Sequence, residues 1–438
     1  MILKGSQRSG ASQLSSHLLN ARDNEHVEVH ELRGFSADDL HGAFQEIEAT
    51  SRGTRAKQPL FSLSLNPPPR EHVSTEAFEA AIEAAEKKLG LQGQPRAIVF
   101  HEKEGRRHAH VVWSRIDSEH MKAVNLPHFK RKLQDVSRQL YREHGWNMPR
   151  GLVAGAQRDP LNFSRAEWEQ AKQAKQDPKA LKAMFQRCWE QADSGKAYAQ
   201  ALAQQGYALA QGDRRAFVAV DFRGQVYAVA KWSNVKTKEV RTRLDDLQNL
   251  PTVEQAQAQI SARMTETLRA YVTEAETARQ KHKATLAMQR AQLVQRQRKE
   301  RADLAAAQEQ RQTKETAERT SRLNRGVRGL WDRITGRYAK QAKANEQEAL
   351  TAWQRDRREK DTLIVRHLEE REGLHLMARQ QKQAHDKDME QLHRDIAAYQ
   401  QQDGKAPPDL KGQFRDSTER ASERIPERGR DRGPSREP

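Results

Sequence analysis

Three histidines, His101, His108 and His110, lie in the stretch 96–117, RAIVFHEKEGRRHAHVVWSRID, whose composition reads as a β-hairpin. Two apolar runs, 97–100 and 109–113, flank a polar connection holding Gly105, the pattern of antiparallel strands around a tight turn. With Glu104 and Gly105 as the loop, the register sets Lys103 against Arg106, Glu102 against Arg107 and His101 against His108. His110, two residues further on, points to the same face, so three imidazoles converge within reach of one ion. Neutral imidazoles on a stiff sheet form a facial site that leaves coordination positions open for a substrate. Such a donor set suits a zinc hydrolase as well as a nuclease, so it does not by itself choose the reaction. By ligand preference alone it favours Zn2+ or Mn2+ over Mg2+. Glu102 turns away from the triad in this register, which leaves Glu104 as the carboxylate expected to orient a ligand histidine or accept a proton.

The elements that must hold these residues alternate along the first third of the chain. Strands are expected over 1–4, 26–32 and 60–65, and helices over 11–21, 37–50, 74–89 and 126–144, with the histidine hairpin between the last two. This predicts an α+β fold, an antiparallel sheet with flanking helices and the hairpin among its middle strands. Ser62 and Ser64 share one face of the strand that the following Asn66 and three prolines terminate. Arg8, Arg106 and Arg107, with other basic residues of this segment, are candidate contacts to a phosphate backbone.

The chain of 438 residues is 36% hydrophobic and 31% charged, with a mean hydropathy of −1.00. That is too polar for one globule throughout, so part of the chain is expected to be extended or solvated. A single cysteine, Cys188, excludes an intramolecular disulfide framework and suits a reducing cytoplasm. No apolar run approaches the length that spans a bilayer, and the N-terminus lacks the apolar core of a secretory signal, so a cytosolic protein is expected. The first 150 residues hold 22 Lys and Arg against 19 Asp and Glu, so most of the net charge of +17 lies further along. A basic balance of this kind favours polyanions, nucleic acid first.

The segment FHEKEGRRHAHVVWSRID resembles the histidine motif of the relaxase/mobilisation nuclease family. These are HUH endonucleases that nick one DNA strand at a plasmid transfer origin. The family pattern is a histidine, six residues, then His-x-His, and His101, His108 and His110 match it position by position. Where many members carry an asparagine four residues after the last histidine, this chain has Ser114. The likeness covers roughly the first 150 residues and is weaker over 160–240. It implies a divalent ion, Mg2+ or Mn2+, that polarises the scissile phosphate, and a nucleophile on the first helix that forms a covalent 5′-phosphate link. Such relaxases usually attack with a tyrosine, yet the first tyrosine here is Tyr141. His17, in SQLSSHLLN, stands at the matching place, and imidazole is a competent nucleophile toward phosphorus. His26, His30, His72 and Tyr141 are the competing candidates. FSLSLNPPPR resembles the family's serine motif, which implies that Ser62 and Ser64 meet DNA beside the nick.

Further along, 160–245 reads as a small α+β accessory module, with helices over 166–175 and 178–205 and a meander of strands over 207–210, 216–221 and 226–232. It resembles a module found behind related nuclease domains, and its Arg214, Arg215, Lys236 and Lys238 suit DNA holding. From 252 to 402 the composition specifies long charged helices or weak coiled coil, because no Gly or Pro occurs between Thr252 and Arg325. A break is expected at 324–338, where Leu330, Trp331 and Ile334 form a small apolar patch. The basic tail, 403–438, has a disordered composition. Its Arg420, Arg428, Arg430 and Arg432 resemble the C-terminal signal of type IV secretion substrates.

The resemblance thus implies a metal-dependent relaxase acting on single-stranded or supercoiled plasmid DNA. Its partners would be accessory mobilisation proteins and a type IV coupling protein, and it would leave a donor cytoplasm bound to DNA. The alternatives are a zinc-type hydrolase and a non-catalytic DNA-binding coiled-coil scaffold.

Overall fold

Alternating and continuous apolar runs in the first third of the chain fold into an antiparallel five-stranded sheet with helices on both faces, the α+β architecture expected. The computed structural model describes residues 1–401 except 70, 154–158, 160, 175, 214–216, 246, 248, 264 and 265. The strands are β1 (Ile2–Arg8), β2 (His26–Arg33), β3 (Leu60–Asn66), β4 (Arg96–Lys103) and β5 (Arg106–Ser114), in the order β1-β3-β5-β4-β2. Every neighbouring pair in this sheet is antiparallel.

Helices α1 (Ala11–Leu18) and α2 (Leu40–Ser51) cover one face, where Leu14, Leu18, Phe44 and Ile47 pack on Leu60, Val99 and Val112. Helices α3 (Thr75–Leu89) and α4 (Phe129–Glu143) cover the other, where Phe78, Ile82, Leu133 and Leu140 meet Phe61, Leu63, Phe100 and Trp113. Coverage on both sides explains why 97–100 is apolar at every position instead of alternating.

Two helix ends differ from expectation in ways that matter for the site. The first helix stops at Leu18, short of 21, because the Asn20 carboxamide accepts from the backbone N–H of Arg22 at 2.9 Å and turns the chain. The second begins only at Leu40, since Asp39 caps it by accepting from the N–H groups of His41 and Gly42. At Gly5, on β1, a Cβ would stand 2.6 Å from the Phe61 ring and 2.7 Å from Leu133. Gly5→Ala is therefore expected to cost about 1–3 kcal/mol through overpacking, read as a lower midpoint in urea unfolding.

Two short strands, β6 (Ile116–Asp117) and β7 (Lys122–Ala123), pair beyond the sheet, and a 3-10 turn lies at Arg150–Leu152. Next come α5 (Arg165–Gln173), α6 (Pro178–Gln191) and α7 (Gly195–Gln204). The last two were expected as one helix, but Ser194 caps α7 and starts it anew. Strands β8 (Tyr207–Gln211), β9 (Phe217–Asp221) and β10 (Val226–Ala228) form an antiparallel meander. The buried Asp221 carboxylate closes its second turn, accepting from the N–H groups of Arg223 and Gln225 and from the Tyr227 hydroxyl. The third strand ends at Ala228, where α8 (Val229–Trp232) begins and buries Trp232 against Phe185 and Tyr227.

Helices α9 (Thr237–Leu244), α10 (Val253–Arg263), α11 (Glu266–Ser321), α12 (Gly326–Ile334) and α13 (Arg337–Gln401) complete the described chain. The interruption expected near 324–338 contains α12, along which Val327, Leu330, Trp331 and Ile334 are exposed.

The described residues before 157 gather with 287–376 into one unit, and those of 157–286 gather with 377–401 into a second. In the first unit the C-terminal part of α11 and the N-terminal part of α13 run side by side, joined by Gln297–Glu370 and Arg311–Glu359 contacts and, just past the end of α11, by Arg322–Glu348. These contacts are polar, which agrees with the irregular apolar spacing of both helices.

Candidate metal centre

The β4–β5 connection is a two-residue turn in which Glu104 (φ 55°) and Gly105 (φ 73°) both take positive φ, the geometry that matches the twist of a hairpin. The register is the expected one: Lys103 faces Arg106, Glu102 faces Arg107 and His101 faces His108, while His110 faces Val99. Side chains alternate, so His101, His108 and His110 project from the face covered by α1 and α2.

Their ring centroids lie 5.3, 4.6 and 5.2 Å apart, and one ring nitrogen from each falls within 4.8 Å of the others. In a tetrahedral shell with ~2.1 Å bonds the nitrogens would stand about 3.4 Å apart, a difference that small ring rotations close. His101 is buried, and its Nε2–H donates to the carbonyl of Leu18 at 2.6 Å. That bond anchors the ring to the end of α1 and leaves the lone pair of the neutral ring on Nδ1.

Burial is also the main reason that all three rings resist protonation. His110 is pushed down to about 3 and His108 to about 4, and His101 is likewise lowered. Mutual repulsion adds to this, together with Arg106 and Lys103 at His108. Neutral imidazoles present their lone pairs near neutral pH, so the donor set fits a divalent ion.

A pH dependence of stability follows for the metal-free protein. His108 and His110 titrate near their ordinary value of 6.5 once unfolded but only near 4 and 3 when folded, so below 6.5 the unfolded chain binds more protons. Stability should be fullest above about pH 6.5 and fall as the pH drops from there toward 4 and 3. Thermal melts in chelator across that range test this, with His110→Ala expected to shallow the decline. An equal decline in the variant would contradict it.

Of the other residues singled out from sequence, His17 lies one residue before Leu18 on α1 and is exposed. When charged it opposes protonation of both His101 and His110, so it stands within electrostatic reach of the triad. Ser64 pairs with His110 across β3 and β5, and Ser62 pairs with Val112, so both hydroxyls belong to the triad's face. Ser64 is half-buried and accepts from Asn66 Nδ2 at 3.3 Å, while Ser62 is buried.

The same row continues onto β1, where Lys4 pairs with Ser64, Ser6 with Ser62 and Arg8 with Leu60. Arg8 is exposed and donates to Ser6 Oγ at 3.1 Å. Lys4 and Ser6 were not identified from the sequence. Their alternation with Leu3 and Gly5 was visible, but only the strand order brings β1 within two strands of His110.

Arg106 is exposed on the triad's face and reaches the Pro67 carbonyl at 3.4 Å. Arg107 corrects an expectation. It lies on the opposite face, 6% exposed, with its guanidinium 3.8 Å from the Phe100 ring centroid and bonded to Thr75 Oγ1 at 2.9 Å. Odd and even residues of a strand take opposite faces, so adjacent arginines cannot both track one phosphate backbone here.

Glu104 sits in the exposed turn with its carboxylate 3.9 Å from His375 Nδ1. Glu102, as the register required, faces away and is fully buried. Among the competing nucleophiles, His26 pairs with Glu102, and His30 bonds Glu79 at 2.8 Å and packs edge-on to Phe100, which sets both across the sheet from the triad. His72 is exposed in the connection after β3. Tyr141 is buried on α4 against Trp146. Lys236 and Lys238 lie at the start of α9, and Lys238 is exposed. Arg214, Arg215, Arg420, Arg428, Arg430 and Arg432 lie outside the described residues.

Residues 17–146 match the family model described as "Relaxase: MobA/VirD2-like, nuclease domain", a span that takes in His17 and all three triad histidines. No curated protein and no solved structure matches the chain. No helix among the described residues is long and apolar enough to cross a membrane.

Proposed function

We propose that this protein, whose residues 17–146 match the family model of a relaxase nuclease domain, nicks one strand of plasmid DNA at a transfer origin and stays covalently attached to the 5′-phosphate. The observation that carries the reading is the convergence of His101, His108 and His110 on one face of the sheet, beside the end of the helix that bears His17.

His17 supplies an imidazole lone pair to phosphorus. The P–N bond forms as the bond from phosphorus to the 3′ oxygen breaks, and that oxygen leaves as a 3′-hydroxyl after taking up a proton. A divalent ion held by the triad, Mg2+ or Mn2+ with Zn2+ as the other candidate, would polarise the scissile phosphate. Ser62 and Ser64 offer hydroxyls beside His110, and Lys4, Arg8 and Arg106 offer positive charge on the same face for the strand's other phosphates. Glu104, exposed in the turn that joins the two ligand strands, is the carboxylate assigned to receive a proton.

The retained bond energy of the phosphoramidate suits later rejoining of the strand in a recipient. Export would then draw on accessory mobilisation proteins, a type IV coupling protein and the arginines at 420, 428, 430 and 432 as a secretion signal.

Incubation with a supercoiled origin plasmid and Mn2+ tests the proposal. A protein-linked nicked strand is expected. Free 5′ ends would favour a zinc-type hydrolase, and intact circles would favour a DNA-binding scaffold.

A further inference from the structure

A second set of charges lies directly across the sheet from the metal ligands. Glu102 follows His101 in the chain and Arg107 precedes His108, so this facing pair lies beside the ligand pair on the opposite face. Glu102 is fully buried, and a carboxylate in such a position needs cations to hold it. Three guanidinium groups surround it. Arg301 of α11 donates to Oε2 at 2.7 Å, Arg371 of α13 donates to the same oxygen at 2.6 Å, and Arg107 Nε stands 4.0 Å from Oε1.

The remaining contacts follow one pattern. Glu25 accepts from the backbone N–H of Glu104 at 3.0 Å and from Arg290 of α11 at 2.9 Å, with Arg371 3.6 Å away. Thr75 accepts from Arg107 and donates to Asp361 of α13 at 2.7 Å. Lys360 binds Glu28, and Arg357 binds Glu79. At the tip of the β-hairpin, a Cβ on Gly105 would stand 2.6 Å from the backbone nitrogen of Glu372, so the turn lies directly on α13.

Residues 290–372 lie outside the segment that matches the nuclease family, yet their cations hold the strand pair that carries the ligands. We propose that Arg301 and Arg371 are positioning residues for the metal centre. By holding Glu102 they fix the position and rigidity of the hairpin on which His101, His108 and His110 converge, so the nuclease site is complete only when the helical pair is docked. Without them the buried Glu102 carboxylate is left with too few cations and must reach water, which displaces the strand next to His101.

The inference rests on the metal reading of the triad, and the test separates the two. In the full chain, Arg301→Gln with Arg371→Gln is expected to weaken Mn2+ binding, measured by calorimetry, about tenfold or more, in the range seen when groups that orient ligands are removed. Hydrogen exchange of the amides at 103–111 should accelerate by at least about tenfold through easier local opening. Arg311→Gln, which breaks a pair between the same helices but touches no residue of the sheet, should leave both unchanged. Adding Glu102→Gln to the double variant removes the stranded charge and should restore most of the affinity.

A folded double variant with wild-type Mn2+ affinity and wild-type exchange overturns the proposal. If the double variant does not fold, Arg371→Lys decides, since it keeps the charge and loses the planar fork. Weakened Mn2+ binding supports the proposal, and unchanged binding overturns it. Should the wild-type chain bind no Mn2+, the metal reading fails by itself, and the exchange rates alone then judge whether the helical pair clamps the hairpin.

Discussion

His17→Ala is expected to abolish covalent capture of DNA, lowering adduct formation by roughly 10³-fold or more, because removing a nucleophile eliminates the step and not merely its efficiency. Mn2+ affinity should stay within about twofold, since His17 lies on α1 and not among the three converging rings, so the two readouts must separate. The checks are a denaturing gel of protein with a labelled origin strand and calorimetry on the same preparation. An adduct that survives in His17→Ala would move the attack elsewhere. His26 and His30 face the other side of the sheet, and Tyr141 is buried against Trp146, so none of these reaches the triad's face without rearrangement. Peptide mapping of the DNA-bearing residue would then name the true nucleophile.

The second large effect belongs to the ligands. His110→Ala should weaken Mn2+ binding by more than about 100-fold, because two imidazoles cannot form the facial set that three provide. Nicking should fall by about 10³-fold, the scale of losing Lewis-acid help on a phosphate. His108→Ala should behave alike. His72→Ala is the control, an exposed histidine of the connection after β3. Equal loss in His72→Ala, or full activity in His110→Ala, would refute the assignment of the triad. Because the three rings resist protonation, ion binding should release few protons near pH 7, which calorimetry in buffers of different ionisation enthalpy can read.

The triad was legible because the chemistry of a hairpin is local. Glu104 and Gly105 set the turn, the turn sets the register, and the period of two along a strand places every later side chain. The helix ends were less legible, since Asn20 and Asp39 act through bonds to neighbouring backbone that compete with apolar periodicity. Arg106 and Arg107 looked equivalent as a basic pair, yet parity sent one to the surface and the other beneath Phe100.

By itself, then, the sequence determined the elements of the first 150 residues, the convergence of His101, His108 and His110, and the long helices from Val253 onward, because turn chemistry and periodicity act over a few residues. Only the tertiary structure decided that Leu18 meets His101, that Lys4 and Ser6 lie in the row of Ser62 and Ser64, and that Arg301 and Arg371 close on Glu102. Those contacts join residues separated by up to 269 positions. No local pattern encodes such pairings; they arise where strand order, helix docking and the cost of leaving a buried carboxylate without a cation are satisfied together.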